Sequence, residues 1–130
     1  MRFLFICLGG ALGTGLRFLI SGVMARWLSP GFPYGTLTVN LVGSFIIGAV
    51  QQVGTTSLMI PDTTRLFLTV GMLGGLTTYS TFSYETVKML EGGGWHQTWI
   101  NVVVTSTLGL TLCFLGIALG RLVVGLKGGV

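Results

Sequence analysis

The sequence is short of charge. Asp, Glu, Lys and Arg make up 8% of its 130 residues, where a soluble domain carries about 25%. That scarcity excludes an ordinary water-soluble globule. With 51% hydrophobic residues and a mean hydropathy of +0.86, it describes an integral membrane protein. The net charge of +4 comes without a basic cluster or aromatic–basic interleaving, so nucleic acid is not a partner and the basic residues mark membrane edges. Histidine is nearly absent: His96 stands alone beside Trp95 in a glycine-rich connection, which excludes zinc and triad chemistry. Cys7 and Cys113 both fall in apolar runs, where they are expected as buried free thiols rather than a disulfide, a metal pair or a nucleophile. The glycine clusters lack the Lys and Ser or Thr of a P-loop. No nucleophile, base and orienter set exists, so the chain is not read as an enzyme.

What remains is apolar sequence in long runs. They predict an all-α fold, one membrane domain over 1–130 with four passes, at about 3–28, 35–53, 64–90 and 95–126. The first run is interrupted by Arg17, a costly charge that must snorkel to an interface or pair inward with Glu85 or backbone carbonyls. Trp27 reads as an interfacial anchor, and Ser29 to Tyr34 as a turn. Asn40 stands amid the second run near Gly43, Ser44 and Gly48. Its buried amide either glues helices, offers its NH₂ to an anion or offers its carbonyl to a cation. Pro61 and Asp62 start the third run, and Gly92 to Gly94 turn the chain into the fourth. There Asn101, Thr105, Ser106, Thr107 and Thr111 occupy the first half, either lining a vestibule or bonding their own helix. The terminus side holds Arg2, Arg65, Arg121 and Lys127, and the opposite side Arg26 and Lys88. That bias is weak and favours cytoplasmic termini without forbidding the reverse.

The third run carries the unusual sequence. GMLGGLTTYSTFSYE, residues 71 to 85, holds three glycines, five Ser and Thr hydroxyls, two tyrosines and a carboxylate. Polar, helix-weakening sequence is tolerated at membrane depth only where it is buried in protein or lines a wet cavity. A helix broken near 74–79 is therefore expected, with Thr77, Thr78, Ser80 and Thr81 satisfying freed backbone groups. Carbonyls exposed by such a break can coordinate a cation, sodium above all. Tyr79 and Phe82 share a face if helix resumes, and ring edges attract anions weakly. The competing reading is that these two rings only pack.

GTLTVNLVGSFIIG at 35 to 48 and GMLGGLTTYSTFSYE at 71 to 85, preceded by GALGTGLRF at 10 to 18, closely resemble the Fluc (CrcB) family of fluoride channels. The resemblance implies a small protein of the bacterial plasma (inner) membrane that exports fluoride passively. It implies an antiparallel, dual-topology homodimer with two pores and a structural Na⁺ at its centre, held by carbonyls of the broken third helices. By position, Gly74 and Thr77 match the Na⁺ carbonyls, and Asn40, Tyr79, Ser80, Thr81 and Phe82 match the fluoride path. Arg17 and Glu85 match a membrane arginine and a vestibule carboxylate. Tyr79 departs from the usual phenylalanine. The fourth-pass hydroxyls do not align cleanly, which leaves Thr105 and Ser106 as candidates. Two other functions compete: a small proton-coupled dimeric transporter, which would want a carboxylate in a first helix that has none, and a non-transporting membrane assembly subunit.

Overall fold

A computed structural model describes residues 1–57 and 59–128, with the side chains at 127 and 128 excepted; the Lys127 side chain counted above lies outside the described residues. The described residues are helices and connecting turns, with no strand among them. Helix α1 spans Arg2–Trp27 and α2 spans Tyr34–Thr56. A short α3, Asp62–Leu66, runs into a π-helix at Phe67–Leu73 and a single turn α4 at Gly74–Leu76. Thr77 and Thr78 are extended, with ψ of 156° and 113°, before α5 begins at Tyr79 and continues to Glu91. Helix α6 spans Trp95–Gly128.

The ends of these helices follow local chemistry. Pro33 precedes α2 and Pro61 precedes α3, positions where a missing N–H and a fixed φ cost nothing. Asp62 sits in the first turn of α3, favourable to the helix dipole, and pairs with Arg65 at 3.2 Å. Between α5 and α6 the chain reverses through Gly92, Gly93 and Gly94, with Gly93 at φ 80°, a region that disfavours any side chain.

Helices α1, α2 and α6 are long and apolar enough to cross a membrane. The stretch expected as a third pass with a break, 64–90, is assembled from the short pieces α3 to α5, with the extended Thr77 and Thr78 between α4 and α5. Lipid provides no hydrophobic drive for helices to associate, so close backbone packing must do it. The chain shows that pattern. Helix α2 lies mainly on α6, and α1 lies on the π-helix and α4. A Cβ at Gly116 of α6 would fall on the Phe45 carbonyl of α2, and one at Gly13 of α1 would fall on the Met72 carbonyl. The fully buried apolar core is small, Val39, Leu73 and Leu76, backed by Ile20, Ile46 and Ile47. Phe18, Leu110 and Phe114 point outward, as lipid-facing side chains do.

One expectation is corrected. Both cysteines are free, but Cys7 is exposed and Cys113 only half-buried. Helix α1 turns Gly9 and Gly13 toward the third stretch, which leaves Cys7 on its outer face. Apolar surroundings in sequence did not distinguish protein from lipid.

Gly116→Ala is expected to overpack the α2–α6 seam at a cost of about 1–3 kcal/mol. Gly125→Ala meets nothing within 4 Å and should hold or raise stability. Thermal unfolding in detergent checks both: equal midpoints for the two variants would show that this seam is not a backbone contact.

Candidate functional site

Thr78 is the residue on which the site is hung. In a continuous helix its N–H would donate to the Gly74 carbonyl. Instead it donates to Oδ1 of Asn40 at 2.7 Å, while Nδ2 of Asn40 donates to the Thr78 carbonyl at 3.1 Å. One amide side chain thus replaces both helical partners of one extended residue. The Thr78 hydroxyl accepts from the Thr81 N–H at 3.2 Å and caps α5, satisfying one of the orphan donors of a helix start. Gly43 stands one turn beyond Asn40, and a Cβ there would fall on the methyl of Thr77, so α2 meets the break closely.

These bonds leave opposite polarities at the interruption. The carbonyls of Gly74 to Thr77 receive none of the N–H donors that a continued helix would supply, among the described residues. The N–H groups of Tyr79 and Ser80, at the opening of α5, likewise lack acceptors among the described residues. A carbonyl end suits a cation, and a helix N-terminus suits an anion.

Two cavities meet at Thr78. The smaller, about 370 Å³, is lined by Asn40, Gly74, Thr77, Tyr79, Phe82, Thr105 and Ser106, with Ser44 and Thr69. Tyr79 and Phe82 have ring centroids 5.8 Å apart, tilted by 42°, and Tyr79 is 80% exposed on the single chain. The larger, about 610 Å³, holds Arg17, Thr36, Thr81 and Glu85. Thr78 lines both.

Most hydroxyls on the smaller cavity have committed their protons to protein. Ser44 donates to the Asn40 carbonyl at 2.7 Å, Thr69 to Arg65 at 2.8 Å and Thr77 to Leu73 at 2.9 Å. Thr78 donates to the Thr81 hydroxyl at 3.0 Å and Thr105 to Oδ1 of Asn101 at 3.4 Å. A hydroxyl has one proton to give, so these groups face the cavity with lone pairs. The second N–H of Asn40 and the hydroxyls of Tyr79 and Ser106 have no acceptor among the described residues and remain as donors.

The residues singled out from sequence therefore divide. Asn40, Gly74, Thr77, Tyr79, Phe82, Thr105 and Ser106 come together in one cavity, and Arg17, Thr81 and Glu85 in the other. Ser80 lines neither; its hydroxyl lies 3.3 Å from that of Thr78. Arg17 and Glu85 share a cavity without forming an ion pair, and Oε2 of Glu85 is buried with no partner among the described residues. Glu85, matched by resemblance to a vestibule carboxylate, lines the larger cavity. It is only half-exposed, because it follows Thr81 by one turn on the inward side of α5. Sequence reasoning missed Thr36 as a site residue; Thr78, expected to satisfy freed backbone groups, does so at the Thr81 N–H, but its pairing with Asn40 was not foreseen. The signal for that cap was present: a Thr shortly after Gly74 and Gly75 and just before the resumed helix is a favoured N-cap residue.

Comparison with known proteins places this geometry in context. The family model described as "CrcB-like protein, Camphor Resistance (CrcB)" matches residues 4–117. A protein of Geobacter sp. (strain M21) named fluoride-specific ion channel FluC is 44% identical over 120 residues, covering 92% of this chain and 97% of its own length. Its namesake in Geobacter metallireducens is 46% identical, covering 89% and 94%. One from Clostridium novyi is 44% identical, covering 88% and 90%.

Asn40→Ala removes both bonds to Thr78 and is expected to cost about 1–3 kcal/mol, since buried backbone groups are left unpaired. Amide exchange read by mass spectrometry over residues 77–80 should then accelerate by about tenfold or more. An unchanged rate would mean that Thr78 is held by something other than this amide.

Proposed function

This chain belongs to the CrcB family, and from that membership we propose that it is a fluoride-specific channel, passing fluoride down its gradient out of the cytoplasm. It is a multi-pass membrane protein of the channel type and not an enzyme. The observation that carries the proposal is the Asn40–Thr78 pairing. It holds an interrupted helix open at the meeting of two cavities, where free donors and free carbonyls stand side by side.

Fluoride holds its water tightly, so a path for it must offer substitute donors. The unused N–H of Asn40, the Tyr79 and Ser106 hydroxyls and the N–H groups opening α5 are of that kind, and Thr81 continues the series toward the larger cavity. The edges of the Tyr79 and Phe82 rings add weak attraction. Each such contact is modest, as conduction requires, because the ion must also leave. A larger halide fits such a constriction poorly. Outside, weakly acidic surroundings form HF, which crosses lipid and dissociates in a more alkaline cytoplasm; passive export releases what is trapped.

The donor chemistry at the break fits a sodium ion. Gly74 and Thr77 present carbonyl oxygens freed of helical donors, the hard oxygen ligands such a cation takes. A bound ion would supply fixed positive charge beside the anion path. One chain offers too few oxygens to complete its shell of about six. Gly74, Tyr79 and Ser80 are exposed beside them. We therefore propose an antiparallel homodimer that supplies the remainder from a second copy, in keeping with the weak charge bias between the two ends.

Liposomes carrying the purified chain are expected to release fluoride and retain chloride, as read by ion-selective electrodes, without a proton gradient. Fluoride retention equal to that of empty liposomes would overturn the channel reading and favour an assembly subunit. Replacing Na⁺ with an organic cation throughout purification should slow fluoride release by about tenfold or more, with recovery on returning Na⁺. Equal rates in both cations would remove the sodium site.

A further inference from the structure

Asn101 is the most deeply buried polar side chain in α6, 1% exposed, and it lines neither cavity of the site. Its Nδ2 donates to Oγ1 of Thr86 on α5 at 2.9 Å, and its Oδ1 accepts from Oγ1 of Thr105 at 3.4 Å. The Thr86 hydroxyl in turn donates to the carbonyl of Phe82 at 2.6 Å. Because that proton is committed to Phe82, Thr86 can only accept from α6, and this fixes which end of the Asn101 amide faces it. The order of bonds is self-consistent and joins Phe82 to Thr105 through a single amide.

Helix α5 needs such a clasp. It has no fully buried residue, touches α6 along one face and meets α2 only slightly. Its N-terminus is tied by the Thr78 cap to Asn40. About two turns later the Asn101–Thr86 bond is its one side-chain hydrogen bond to α6 among the described residues. Away from water a satisfied amide–hydroxyl pair is specific, since breaking it leaves two buried polar groups unpaired.

We infer that Asn101 is a positioning residue for the proposed anion path. Resting on the fluoride-channel reading, it sets the height of the Phe82 ring against α6 and takes the Thr105 proton, so that Thr105 faces the cavity as an acceptor. Ser106, its neighbour, is thereby the hydroxyl of that pair with a proton to offer an anion. Loss of the clasp lets α5 slide on α6 and turns the Thr105 proton into the cavity, altering both rate and selectivity.

The test uses the full-length chain with 4-fluorophenylalanine at position 82, observed by ¹⁹F NMR in detergent, beside fluoride and chloride release from liposomes. Thr86→Val keeps the shape of the side chain and removes the hydroxyl; Asn101→Leu is the second variant, and Asn101→Thr with Thr86→Asn reverses the bond. The single variants are expected to split or shift the ¹⁹F resonance and slow fluoride release by about tenfold or more, and the reversed pair to restore the resonance while leaving release slowed, since it rebuilds the α5–α6 bond without the Oδ1 that takes the Thr105 proton. An unmoved resonance in a folded Thr86→Val protein overturns the inference, whatever the flux. If the unsubstituted chain releases no fluoride, the channel reading fails, while the ¹⁹F spectra still decide whether Asn101 positions Phe82.

Discussion

An asparagine amide that pairs with one extended residue is the constraint on which this molecule depends. A carboxamide carries an acceptor and a donor side by side, matching the N–H and C=O of a peptide unit. Asn40 uses both on Thr78. Without that pairing, water is not at hand in a bilayer to satisfy the two backbone groups, and the cheapest alternative is to close the helix. Closing it would give the Gly74 carbonyl back to the Thr78 N–H and erase the polarity of the break. A hydroxyl could not replace the amide without changing the geometry, and a carboxylate lacks the donor.

The remainder of the fold fixes the distance between Asn40 and Thr78. Asn40 belongs to α2, which lies on α6 through contacts too close for a Cβ at Gly116. Thr78 follows the π-helix and α4, which lie against α1 through a similar contact at Gly13. The π-helix adds residues to each turn relative to an α-helix, a distortion that often accompanies functional sites. Here it runs directly into the glycines before the break. With so few fully buried apolar side chains, stability in lipid rests on packing of backbone against backbone rather than on a hydrophobic core. Gly43 is part of the same economy: its missing side chain is the space that the Thr77 methyl occupies.

Polarity at the site is arranged by spending protons. Five hydroxyls around the smaller cavity donate to protein acceptors, leaving a surface of lone pairs punctuated by few free donors. Such a surface discriminates by position. Membership of the CrcB family, with relatives named fluoride-specific channels, is the ground for the proposed anion path, whose donors are few and stand beside carbonyls freed of helical partners. Helix α5 carries the aromatic pair yet is held by little besides polar clasps at Asn40 and Asn101, so the placing of these rings is set by hydrogen bonds.

Class and rough layout were legible from residues alone. Scarce charge and long apolar runs determine a membrane protein, and the density of glycine and hydroxyl side chains after Gly71 determines where regular helix becomes costly; both are local properties of composition and propensity. Asn40, Tyr79 and Phe82 stand out from their residue types and spacing, whereas the match of Gly74 and Thr77 to sodium carbonyls comes only from the family resemblance. Tertiary structure alone decided that Thr78 is the residue pinned by Asn40, that Ser80 stands outside both cavities, that Arg17 and Glu85 share a space unpaired and that Cys7 faces outward. Each of those is a matter of which group a side chain meets across helices, and the direction of a hydrogen bond is set by that neighbour, which no run of sequence contains.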